Sequence, residues 1–160
     1  MLAAMTDPIE RPPSLLALRS YLAGRVTKGL RAEVERALAE RELGTSDYGV
    51  LVALGDFGVL SQQQLADRLD ADKSHVVRLV DQLEGRGLLT RTADPTDRRR
   101  HRIELTSAGR KLLRQLAPVL ARADEASLSA LSNAERRTLT SLLQRVLYSQ
   151  DQSRAGKSDR

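Results

Sequence analysis

Apolar residues recur at every third or fourth position along most of this chain, the spacing that gathers them on one face of an α-helix. Leu15, Leu18, Leu22, Val26, Leu30, Val34 and Leu38 form the first series and predict one long helix, from near Ser14 to near Gly44. At 1.5 Å per residue it would be roughly 40–45 Å long, with Gly24 and Gly29 as points of weakness or bending. A second helix is expected next, capped by Thr45 or Ser46, turning Val50, Leu51 and Leu54 inward and ending between Gly55 and Gly58. Ser61 with Gln64 has the form of a capping box and opens the segment SQQQLADRL, whose buried contacts are Leu65 and Leu69. Only Asp70 and Ala71 separate it from DKSHVVRLVDQLE, where Val76, Leu79, Val80 and Leu83 share one narrow face. The other face carries Ser74 and Arg78, flanked by His75, Val77 and Gln82. Two helices joined by so tight a turn, the second with a polar outer face, read as a helix-turn-helix.

After Gly85 and Gly87, either of which can end that helix in the left-handed conformation, the period shortens from helix to strand. LLTRT and RIELT flank the polar loop ADPTDRRRH, and Ile103 and Leu105 alternate with Arg102 and Glu104. This is a hairpin with an arginine-loaded tip, a wing. Thr106 then begins a long helix through Leu112, Leu113, Leu116, Leu120 and Ala123, which Pro118 should kink or split. Ser132 with Glu135 opens a last helix with Leu139, Leu142, Leu143, Val146 and Leu147 as its stripe. The predicted fold is mainly α: a winged helix-turn-helix over 45–106, with helical dimerisation regions at 14–44 and 107–149. A loose arm (1–13, with Pro8, Pro12 and Pro13) and a polar, disordered tail (150–160) complete it. The recognition helix to enter a groove and the basic wing beside it make a DNA-binding head; the helices outside this head carry more leucine than a small monomer could cover, so a twofold homodimer is expected, and a bundle folded against the head is the plainer alternative.

Composition sharpens this picture in three ways. Aromatics are only 2% of the residues, so the core must be aliphatic. The net charge of +5 favours a polyanionic partner, and its clustering is more telling than its size: Arg98, Arg99, Arg100, His101 and Arg102 stand side by side. There is no cysteine, which excludes disulfides and thiolate metal sites. His75 and His101 are the only histidines and lie on different elements, so neither a metal nor any other cofactor is expected, and no nucleophile–base pairing suggests an enzyme. With no membrane-spanning run and no signal-like N-terminus, a cytoplasmic protein is expected.

Each candidate DNA contact competes with a plainer role. Asp72 or Asp70 should cap the recognition helix, since a carboxylate beside phosphate repels. Lys73 can reach a phosphate or be merely solvated. Ser74 and His75 point outward where recognition helices of this class touch base edges. Val77 could meet a thymine methyl or pack against the wing, and Arg78 could grip a guanine or a phosphate. An ion pair with Asp81 is the alternative for Arg78. Arg98 and Arg100 are phosphate candidates, Asp97 orients a neighbouring arginine, and Gln62 and Gln63 sit at a helix N-terminus whose amides can hold phosphate.

The series LADRLDADKSHVVRLVDQLEGRGLLTR, then DPTDRR, then ELTSAGR, resembles the MarR family of dimeric winged-helix transcription regulators. The resemblance is close from Leu65 to Arg110, and Ser74-His75 stands where many members have Ser-Thr. It implies a homodimer joined through its terminal helices and bound to a palindromic double-stranded operator, usually as a repressor, often released by small aromatic or phenolic ligands. It implies that Arg99 is the wing arginine that enters the minor groove, where narrow A·T tracts concentrate negative potential. It also places a ligand cleft where the long helices meet the head, with Tyr21, Arg25, Tyr48 and Phe57 as candidate contacts. Two function classes therefore stand side by side: a sequence-specific homodimeric regulator, and a non-specific architectural protein that coats DNA without reading bases.

Overall fold

A computed structural model of the chain describes residues 9–93 and 101–158, and it divides into two units, one ending at Asp124 and the other starting at Glu125. In the first unit the long apolar series does not make one helix. α1 (Pro13–Leu16) is a single turn, started by Pro13 at its first position, and α2 (Arg19–Ala39) follows an extended Leu18. No helix-breaking residue accounts for the interruption at Ala17–Leu18. α2 is accordingly about 31 Å long, shorter than the sequence pattern suggests, and it passes Gly24 and Gly29 without ending. It stops at Ala39 rather than near Gly44, because Glu42 turns left-handed (φ 55°) and the Leu43 amide bonds back to the Leu38 carbonyl.

α3 (Thr45–Phe57) is capped by Gly44, not by Thr45 or Ser46: the Asp47 carboxylate reaches back to accept from the Gly44 amide at 2.8 Å. Val50, Leu51 and Leu54 are buried, as their spacing requires. A two-residue strand, β1 (Leu60–Ser61), leads into α4 (Gln62–Leu69). The capping box is present in both directions, Gln64 N to Ser61 Oγ at 3.2 Å and Ser61 N to Gln64 Oε1 at 2.8 Å. α4 ends at Asp70, held left-handed (φ 47°), and α5 (Lys73–Gly85) begins three residues later. Val76, Leu79, Val80 and Leu83 all face the core. Gly87, with φ 68°, makes the turn out of α5, and the Leu88 amide bonds to the Leu83 carbonyl.

The wing strands β2 (Leu89–Ala93) and β3 (His101–Leu105) pair antiparallel from Leu89–Leu105 to Ala93–His101. β1 adds to the other side of β3 through Leu60–Ile103 and Ser61–Arg102, giving the order β1-β3-β2. A two-residue strand is too short for alternation to reveal, so the third strand is an addition to the sequence reading. Ile103 and Leu105 point into the core, and the core is aliphatic throughout.

α6 (Ser107–Ser127) runs through Pro118 without being split, so of the two expected effects the split does not occur. The proline removes a single amide from the ladder, its φ suits a helix, and Leu116 and Leu120 on either side are buried. Thr106 starts the helix: its hydroxyl accepts from the Gly109 amide (3.1 Å) and donates to the Gly87 carbonyl (2.7 Å). Gly109 itself lies on the Leu88 backbone, so close that a Cβ there would sit 2.0 Å from the Leu88 carbonyl oxygen.

The second unit contains α7 (Asn133–Ser158), opened by the Ser132–Glu135 box, with the Ser132 amide 2.8 Å from Glu135 Oε2. α7 continues past Gln150, where the sequence pattern set the start of a disordered tail. Gln, Arg, Ala and Lys are good helix formers, so loss of the apolar stripe does not end the helix. In the single chain Leu18, Leu22 and Val26, ahead of and on α2, and Leu142, Leu143, Val146 and Leu147 on α7 are each between 40% and 55% exposed.

Because the Gly109 contact is with backbone, it cannot be relieved by a rotamer change. Gly109→Ala should lower the unfolding free energy by about 2–4 kcal/mol, read from denaturant titration. An unchanged midpoint would mean that α6 does not approach Leu88 this closely.

Candidate nucleic-acid interface

The N-terminus of α5 is set by Asp72, whose extended backbone and carboxylate cap the helix: Oδ1 accepts from the Ser74 amide at 2.7 Å and also from the Ser74 hydroxyl. Asp70 takes the left-handed turn position instead, which decides between the two capping candidates. The cap has a consequence for Ser74. Its hydroxyl proton is committed to Asp72, leaving only acceptor lone pairs toward a groove. Lys73, Ser74 and Arg78 are exposed, and His75 and Val77 are half-buried. Arg78 is not paired with Asp81. Its Nη2 lies 2.6 Å from His75 Nδ1, one turn back along the same face.

Asp81 is engaged elsewhere. Arg91 on β2 lays its guanidinium on Asp81 Oδ1 and on Glu84 Oε2 (2.7 Å from Nη2, 3.1 Å from Nε), while its backbone amide donates to Glu84 Oε1 at 3.1 Å. Asp81 foremost, then Glu84, raises the Arg91 pKa further above its already high value, so the group stays cationic. The first strand of the wing is thereby fastened to the recognition helix by three side chains, the arginine only 20% exposed. Arg86, just past the end of α5, makes a second fastening. Nη1 and Nη2 donate to the Glu42 and Arg41 carbonyls at 2.7 and 2.8 Å, tying the recognition helix to the α2–α3 turn. Arg91, Glu84 and Arg86 were not among the residues the sequence singled out. An acidic i,i+3 pair followed by an arginine in the next strand was the available signal for the first two; a guanidinium bound to distant carbonyls leaves none.

Gln62 and Gln63 occupy the first turn of α4, the former half-buried, and Gln63 Nε2 donates to Asp67 at 2.8 Å. Asp97, Arg98, Arg99 and Arg100 lie outside the described residues. β2 and β3 end at the Ala93–His101 pair, where His101 and Arg102 are exposed.

The four ligand candidates fall in different surroundings. Tyr21 (half-buried) and Arg25 (exposed) belong to the first half of α2, ahead of Val34, Ala37 and Leu38, where that helix joins the core. Tyr48 packs against the core, where burial and then the Asp56 carboxylate push its hydroxyl above the ordinary 10.0. Phe57 is exposed, with the Arg68 guanidinium 3.8 Å above its ring.

Residues 45–101 match the model of the MarR family. A putative transcriptional regulatory protein for the hcr operon of Thauera aromatica is 42% identical over 104 residues, 65% of this chain. The chain spans 62% of that relative's length. The HTH-type transcriptional regulator MhqR of Bacillus subtilis is 30% identical over 122 residues, 76% of this chain and 84% of its own. Among solved structures, Bordetella bronchiseptica BpsR, whose DNA binding is regulated by 6-hydroxynicotinic acid, superposes with a TM-score of 0.71 at 27% identity, covering 79% of this chain and 96% of that one.

Two expectations follow from the clamps and caps. Arg91→Ala should cost about 1–2 kcal/mol of stability and speed amide exchange in β2 and β3 first, with Arg91→Lys restoring only part because an ammonium cannot span both carboxylates. Exchange rates that rise equally across the whole head would show that the clamp does not hold the wing in particular. Asp72 is held below its ordinary 3.8, first by the Ser74 hydroxyl, then by the Ser74 and His75 amides. Since its folded value is depressed, its contribution is present above the ordinary value and lost as pH falls through the lowered one. Asp72→Asn should therefore flatten the stability–pH curve below about pH 4 while leaving the helix capped, as thermal unfolding across that range would show.

Proposed function

The chain belongs to the MarR family of winged-helix transcription regulators, and from that premise we propose that it is a homodimeric repressor on a palindromic operator. The observation that carries the proposal is the outer face of α5: its start is fixed by Asp72, its flank is clamped to the wing through Arg91, and Arg78 is directed outward, released from its acidic neighbour. Base readout falls to His75, Val77 and Arg78, with Ser74 offering an acceptor only, and Lys73 and the first turn of α4, Gln62 and Gln63, hold phosphate. In the wing, Arg99 takes the minor groove, Arg98 and Arg100 the phosphates, and Asp97 steadies an arginine. The half-exposed leucines and valines of α1, α2 and α7 are the faces that meet a second copy.

Release by a small aromatic or phenolic compound belongs to the same reading, supported by the family and by the Bordetella relative. Tyr21, Arg25 and Tyr48 are its first candidate contacts, Phe57 being already engaged by Arg68. Such a ligand acts by favouring a spacing of the two recognition helices other than the roughly 34 Å of one DNA turn. No helix among the described residues is long and apolar enough to cross a membrane, and the site of action proposed is the cytoplasm.

The purified chain should sediment as a dimer of 17.7 kDa protomers and retain particular genomic fragments against a large excess of random duplex. Arg78→Ala should relax base preference, whereas Arg98→Ala should weaken all duplexes and reduce the salt slope by about 1. A monomer that binds random duplex as tightly as any genomic fragment would favour an architectural DNA-coating protein instead.

A further inference from the structure

Arg78 has an imidazole as its hydrogen-bond partner, and a guanidinium can only donate. The contact of 2.6 Å to Nδ1 therefore requires that nitrogen to be the acceptor. A neutral ring whose Nδ1 accepts carries its proton on Nε2. The pair thus has a single kind of group left to offer: the remaining N–H groups of Arg78 and the Nε2–H of His75. Nearby alternatives are removed by the same structure. The Ser74 hydroxyl proton is turned to Asp72, and Asp81, the acceptor that could have drawn Arg78 sideways, is occupied by Arg91.

We propose that His75 is a positioning and specificity residue, and that His75 and Arg78 together read a purine–guanine step in each half-site, guanine under Arg78 and a purine N7 under His75. The inference rests on the operator-binding reading above and deepens it. Guanine is the base whose major-groove edge offers two adjacent acceptors, N7 and O6, matched to a guanidinium held in one orientation. Residues three apart on a helix are separated by about 4.5 Å along its axis, close to the ~3.4 Å between successive bases of one strand, so the two side chains meet neighbouring bases. Without His75 the arginine keeps its charge and loses its fixed direction, and a free arginine binds phosphate as readily as a base.

The test uses the full chain, duplex selected from a random pool, and single replacements of guanine by 7-deazaguanine in the selected site. For the unmodified protein, a deaza replacement at either predicted position should weaken binding about tenfold. His75→Ala should lower the preference for guanine at the Arg78 position about tenfold. Combined with Arg78→Ala it should add nothing at that position. His75→Asn, whose Oδ1 can accept in place of Nδ1, should restore the guanine preference while losing the neighbouring purine preference. His75→Ala that keeps full guanine preference, or His75→Asn that rescues no better than alanine, overturns the proposal and leaves the operator-binding reading intact. A protein that selects no sequence at all removes both.

Discussion

A recognition helix must be held firmly by one face while offering the other, and on thirteen residues there is little room for both. Here Val76, Leu79, Val80 and Leu83 sink completely into an aliphatic core. Each fully buried side chain of this kind contributes about 1.5–3 kcal/mol relative to exposure, so the burial anchors α5 before any polar contact is counted. What aliphatic packing cannot supply is direction, because it is nearly indifferent to small rotations about the helix axis. Direction comes from two arginines, and a third is left for the outer face. Arg91 locks the wing strand to Asp81 and Glu84, Arg86 grips the two carbonyls of the α2–α3 turn, and Arg78 remains outward on His75.

This division qualifies the meaning of the basic balance. A net charge of +5 suggests a uniformly attractive surface, yet Arg91 is spent on two carboxylates and Arg86 on backbone carbonyls. Within α5 itself the exposed cations are Lys73 and Arg78. Arg86 also has a mechanical consequence. The α2–α3 turn contains Glu42 in a left-handed conformation that costs a non-glycine residue about 1–2 kcal/mol, and the same guanidinium that grips its carbonyl sits at the end of α5. The end of α2 and the end of the recognition helix are thus fastened to one another.

Much of this was legible in the residues. The narrow stripe of α5, the Ser61–Gln64 and Ser132–Glu135 boxes and the alternation in β3 are local patterns, and local patterns survive into the fold because capping and amphipathicity involve neighbours within four residues. The differences have several origins. Nothing in the structure explains the break at Leu18; the left-handed Glu42 that ends α2 and the Asp47 carboxylate that makes Gly44 the cap are local arrangements that apolar spacing does not encode; and Pro118 stays within one helix between the buried Leu116 and Leu120. The Arg78 alternative was lost to a tertiary contact, since Asp81 was claimed by a residue ten positions on. Nor does a sequence distinguish a serine that reads a base from one, like Ser74, whose proton closes a cap.

The magnitude of base readout bears on why the exposed stripes matter. Among the described residues of α5, the donors proposed to meet base edges are those of Arg78 and His75, and a bidentate arginine–guanine pair is worth about 1–3 kcal/mol of discrimination. With a single further contact from His75, these two side chains would reach roughly 2–4 kcal/mol. Regulators that find a site among the competing sequence of a genome need about 4–10 kcal/mol over non-specific binding. On the reading proposed, the pair alone therefore does not carry an operator, and a second head placed one helical turn away would double its contribution. Leu22 and Val26, and Leu143 and Val146, are each between 40% and 55% exposed in the single chain, an arrangement whose hydrophobic cost the proposed pairing of two copies would remove. On that reading the apolar faces and the reading face answer one another: duplicating the head doubles its base contacts, and the terminal helices carry the surface that a duplicate would bury.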